Sequence, residues 1–93
     1  MSKSLYEDVY YQLLGEYFRN NRENKGLTLE ELSNLMKVNR NTYYCYERGT
    51  RACSIELFIT LCNFFGDNYL EIFKNLNDKT KSIVEHQREE NEI

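Results

Sequence analysis

This 93-residue chain predicts an all-α fold of five short helices, on three observations. No segment alternates apolar and polar residues with the period of two that a half-buried strand requires. Apolar residues recur instead at three- and four-residue intervals, the spacing of one helix face. Gly26, Gly49 and Gly66 separate these patterns, and each is followed within a few residues by a Thr, Ser or Asp able to cap the next helix. A hydrophobic content of 41% suffices for one core, and the length leaves no area for a second.

Ser4 can cap the first helix, with Glu7 as its reciprocal partner. Leu5, Val9, Leu13 and Tyr17 follow four-residue spacing, with Tyr6, Tyr10, Leu14 and Phe18 alongside. The helix is expected to fade near Asn24, with Gly26 as its breaker, and Gly15 sits inside it. Thr28 and Glu31 form a second capping box, opening a helix whose apolar face is Leu29, Leu32, Leu35 and Met36. Asn39 caps a third helix, from Arg40 to about Arg48, which stops at Gly49. Ser54 caps a fourth, with Ile55, Phe58, Ile59, Cys62 and Phe65 on one side and Gly66 at its end. Asp67 is expected to cap a fifth, with Leu70, Phe73 and Leu76 apolar. Past residue 77 the pattern thins to Ile83 and Val84. The domain is therefore drawn over 1–77, with an N-terminal extension over 1–13, and 78–93 is a polar tail, solvated helix or disordered.

Composition narrows the function. No stretch approaches the roughly 18 apolar residues of a membrane span, and the N-terminus lacks a basic run followed by an apolar one, so a cytoplasmic chain is expected. Cys45, Cys53 and Cys62 are odd in number and widely spaced, and His86 is the single histidine. Neither a disulfide framework nor a metal site is expected, and no cofactor. No nucleophile–base pair or phosphate loop suggests an enzyme. The net charge is −3, yet residues 37–51 carry Lys37, Arg40, Arg48 and Arg51 against Glu47. One basic window on an acidic chain suits contact with a polyanion such as DNA.

Helices two and three are joined by little more than LMKVN at 35–39. Two short helices joined so tightly cross steeply in a helix-turn-helix, which projects the second helix into the DNA major groove. The stretch GLTLEELSNLMKVNRNTYYCYERGTR, continuing into SIELFITLCNFFGDNYLEIF, resembles the Cro/lambda-repressor-like (XRE) helix-turn-helix family over about residues 14–73. Gly-Leu-Thr before Glu-Glu-Leu, then Val-Asn-Arg-Asn-Thr, Tyr-Glu-Arg-Gly and a helix ending in Phe-Gly carry the resemblance.

That resemblance implies a compact lambda-repressor-like bundle and a set of roles. Arg40, Asn41 and Thr42 open the recognition helix, where Arg suits guanine O6 and N7 and Asn suits adenine N6 and N7. Tyr44 and Cys45 lie one turn on, near the family's next base contact; Cys45 departs from the usual polar residue. Thr28 caps the helix whose N–H groups meet a phosphate, although Leu29 replaces the usual glutamine beside it. Arg48 and Arg51 match the loop that grips flanking phosphates. Glu47 is expected to pair with Arg22 as a largely buried ion pair, while Tyr43 and Tyr46 fill the core. Lys37 replaces a common glycine at the turn, and Cys53 a common proline before helix four.

A double-stranded, two-fold symmetric DNA operator is the implied partner, bound by a homodimer through Phe65, Tyr69, Phe73 and Leu76, residues that otherwise complete the monomer core. The leading reading is a small sequence-specific transcriptional repressor. The alternative is a protein-interaction module on the same fold, an antitoxin or inhibitor, suggested by the acidic body and the tyrosine-rich third helix.

Overall fold

The protein is described here by a computed structural model covering residues 4–91, with side chains placed through Arg88. Its helices are α1 (Leu5–Asn24), α2 (Leu29–Leu35), α3 (Arg40–Arg48), α4 (Ile55–Phe65) and α5 (Tyr69–Asn91). Side-chain caps start them. Ser4 accepts from the Glu7 amide, Thr28 and Glu31 form a complete capping box, Asn39 accepts from the Asn41 and Thr42 amides, and Ser54 accepts from the Leu57 amide. At α1 the box is incomplete in form: the Ser4 hydroxyl itself donates to Glu7 Oε1 at 3.3 Å.

One cap differs from the sequence expectation. Asn68, not Asp67, accepts from the first-turn amides of α5, those of Leu70 and Glu71. The Asp67 carboxylate is occupied elsewhere, taking a 2.6 Å hydrogen bond from the Tyr17 hydroxyl on α1. That bond, after burial, drives the Tyr17 hydroxyl far above its ordinary titration range.

The first four helices end alike. The amides of Leu27, Val38, Thr50 and Asp67 return to the carbonyls of Arg22, Ser33, Cys45 and Cys62, the six-to-one bond of a Schellman turn. That turn needs a left-handed residue just before the returning amide. Gly26, Gly49 and Gly66 serve at three ends, and Lys37, at φ 58°, serves at the fourth. The left-handed backbone costs a lysine about 1 kcal/mol. It falls in the tight turn that aims α3.

α1 is the central element. One side carries α3, and the other pairs antiparallel with α5: Tyr6 donates to Asn77, Tyr10 meets Phe73 edge-on, and Tyr17 reaches Asp67. Leu14, Phe18, Leu32, Tyr43, Phe58, Leu61, Cys62 and Leu76 form the core between them. Fully burying a side chain of this size contributes roughly 1.5–3 kcal/mol. α5 passes residue 78 without a break, and Thr80 and Val84 are buried, so an ordered helix occupies the stretch that the fading apolar pattern left open. Leu35 and Ile55, placed on inner faces by periodicity, are exposed instead. No helix among the described residues is long and apolar enough to cross a membrane.

Candidate nucleic-acid interface

α3 divides cleanly by helical phase. Tyr43 and Glu47 turn inward and are buried, with Tyr46 half-buried beside them. Arg40, Asn41, Tyr44 and Arg48 are exposed along the opposite side, and Thr42 and Cys45 are half-buried at its margins. Arg51 is exposed just past the helix end. The outward face is thus basic and free of carboxylate, because the single acidic residue of the segment points inward.

Arg22 holds that carboxylate. Its Nε lies 2.7 Å from Glu47 Oε2 and its Nη2 3.1 Å from Oε1, a two-point fork. Nη1 donates to the Leu27 carbonyl at 2.8 Å, so one guanidinium ties α1, the loop before α2 and α3 together. The side chains are 11% and 3% exposed. The Glu47 hydrogen bonds hold the Arg22 guanidinium above its ordinary range, against the opposing pull of burial. The Tyr43 hydroxyl lies in the same buried quarter without a hydrogen bond of normal geometry among the described residues. Burial first, and Glu47 second, push its titration well up, so it stays a neutral phenol.

Two surface depressions gather the remaining candidates. Thr28 and Arg40 share one with Arg22, Leu29 and Glu30. The Thr28 hydroxyl oxygen already accepts from the Glu31 amide, and its own amide donates to Glu31 Oε1. Glu30 adds negative charge there, which works against a phosphate at the start of α2. The second depression lies between α1 and α3 and is lined by Gln12, Glu16, Arg19, Tyr44, Glu47 and Arg48. Within it the Arg48 guanidinium sits 5.5 Å over the Tyr44 ring, a cation–π contact one helical turn long. Arg19 was not singled out from the sequence; only the crossing of α1 and α3 brings it beside Arg48.

The surface expected for dimer contacts is divided. Leu76 is 7% exposed and belongs to the core, because the antiparallel seating of α5 on α1 covers it; it is not available to a partner. Phe65 and Tyr69 are half-buried against the same core, Phe65 edge-on to Tyr17. Phe73 is 49% exposed even with its contact to Tyr10, and Leu70 is exposed one turn before it. Among the described residues, no group of His, Cys, Asp and Glu is arranged to hold a metal ion.

The helix-turn-helix domain profile matches residues 15–78, more than half of the chain. A protein of Aeropyrum pernix named as an HTH-type transcriptional regulatory protein is 33% identical over 79 residues, covering 84% of this chain. This chain spans only 24% of that relative's length. The cryptic phage CTXphi transcriptional repressor RstR of Vibrio cholerae is 34% identical over 70 residues, with 71% of this chain and 63% of RstR covered. In three dimensions the clp gene regulator ClgR from Corynebacterium glutamicum superposes with a TM-score of 0.70 over 91% of this chain and 90% of ClgR, at 24% identity, a likeness of fold. By its profile, its relatives and the α2–turn–α3 unit, the chain belongs to the helix-turn-helix domain family.

Proposed function

We propose that the chain is a sequence-specific, non-enzymatic binder of double-stranded DNA that acts as a transcriptional regulator in the cytoplasm, most simply a repressor. One observation carries the reading: α3 directs its only carboxylate inward and presents Arg40, Asn41 and Arg48 outward on an otherwise acidic chain. Arg40 and Asn41 stand at the start of α3 as base-reading groups with Thr42, and Tyr44 and Cys45 extend the contact by one turn. Arg48 and Arg51 neutralise flanking phosphates. Thr28 serves more as the anchor of α2 than as a phosphate ligand, given Glu30 beside it. The regulator names of the Aeropyrum and Vibrio relatives support this assignment.

A homodimer on a two-fold symmetric operator follows from the short reach of one recognition helix. Phe73, with Leu70, Tyr69 and the rim of Phe65, is the surface proposed for it. Selection of bound duplexes from a random pool tests the function: the reading requires an enriched sequence with inverted half-sites about one helical turn apart. A pool that stays random contradicts it, and favours the protein-interaction alternative.

A further inference from the structure

Gly15 lies in the middle of α1, and an interior glycine weakens a helix relative to alanine. Its backbone is ordinary helix, so the freedom of glycine is not being used there. The missing Cβ is. A Cβ at position 15 would overlap the Glu47 carbonyl oxygen and come within 2.7 Å of its carbon and 2.8 Å of the Tyr46 oxygen. Those are backbone atoms of α3, and no side-chain rotation can move them aside. One turn earlier along α1, a Cβ at Gly49 would meet Tyr11 O at 3.0 Å and Gln12 N at 3.1 Å. The last turn of α3 therefore rests on the bare backbone of α1 between Tyr11 and Gly15.

Glu47 is gripped twice at this crossing. Its backbone lies over Gly15, and its carboxylate is held by Arg22, two turns further along α1. Arg40 and Asn41 stand at the other end of α3, about 10 Å from Glu47 at the helical rise. Hydrogen bonds to base edges tolerate only a few tenths of an ångström in length. A change in seating at Glu47 is transmitted along the rigid helix to those groups. We propose that Gly15 is a positioning residue for base reading: by lacking a side chain it sets how deeply α3 seats on α1, and so where Arg40 and Asn41 stand. The inference rests on the DNA-binding reading for its consequence, though not for its geometry.

The test is Gly15→Ala in the full chain, with binding to the selected duplex and to an unrelated duplex followed by fluorescence anisotropy. Both are measured at a temperature where circular dichroism shows the variant folded. Affinity for the selected duplex is expected to fall about tenfold or more, the scale of one lost base contact. Affinity for the unrelated duplex should stay within about twofold, since phosphate contacts dominate it. Adding Arg40→Ala should cost less in this background than in the wild type. Cys62→Ala, a core truncation on α4, supplies the control for stability alone and should keep its sequence preference. Equal losses on both duplexes, an undiminished preference, or a variant that does not fold at all would each overturn the proposal. If the wild-type chain binds neither duplex, the DNA reading has failed separately. Amide chemical shifts then decide: changes spread over residues 40–48 in Gly15→Ala support the seating role, and changes confined to the neighbourhood of residue 15 reject it.

Discussion

Replacing Arg22 with alanine isolates the contribution of the ion pair that holds α3. The change leaves the Glu47 carboxylate, 3% exposed, without its two guanidinium bonds, and removes the donor to the Leu27 carbonyl. Breaking a buried pair from one side costs about 3–5 kcal/mol, because the remaining charge is left without a partner. Arg22 is slightly open to solvent, so the lower end applies, about 3 kcal/mol. A domain of this size has a total stability of roughly 5–14 kcal/mol, and each kcal/mol moves its melting point by about 4–8 °C. Thermal unfolding followed by circular dichroism should therefore show a drop of at least about 12 °C. The double change Arg22→Met with Glu47→Leu removes the unpaired charge and should recover more than half of it. A drop below about 4 °C for Arg22→Ala, the level of an exposed pair, would refute the reasoning.

Four further outcomes follow from particular contacts. Asn68→Ala should cost about 1 kcal/mol as the lost α5 cap, read as a melting shift. The effects of Tyr17→Phe and Asp67→Ala should be strongly non-additive, because the two share one bond; simple additivity would contradict the assignment. On the alkaline side, burial pushes Cys53 from 9.0 up to about 12 and Tyr10 from 10.0 up to about 12. Folding favours their neutral forms, so that stability is fully present below pH about 9 and is lost as pH rises toward 12. Melting points taken from pH 8 upward should fall, and Cys53→Ala should flatten the first part of that fall. Lys37→Gly should raise the melting point by a few degrees by relieving the left-handed strain, and an unchanged or lower value would show that the turn carries none.

The caps that a few adjacent residues decide were legible in the sequence, as with Thr28 and Glu31, Asn39 and Ser54. So were the glycine stops, because a Schellman turn is a local device. Asp67 and Asn68 are both capable caps, and the choice between them is made by Tyr17, fifty residues away. The burial of Leu76, Thr80 and Val84 depends on how α5 packs against the rest of the bundle, which its own apolar spacing does not fix. At the interface, helical phase alone separates Tyr43 from Tyr44. The depression joining Arg19 to Arg48 and the contact beneath Gly15 arise only where α1 and α3 cross. An interior glycine was the one available signal for that crossing, and a single sequence attaches no reason to it.

The salt dependence of duplex binding tests the central claim most directly. If α3 docks in the major groove with Arg48 and Arg51 on phosphates, log affinity should fall linearly with log salt, and steeply. Arg48→Ala should reduce the slope by about one while weakening all sequences alike. Duplex affinity that does not change with salt, or a slope indifferent to Arg48 and Arg51 together, would contradict the account.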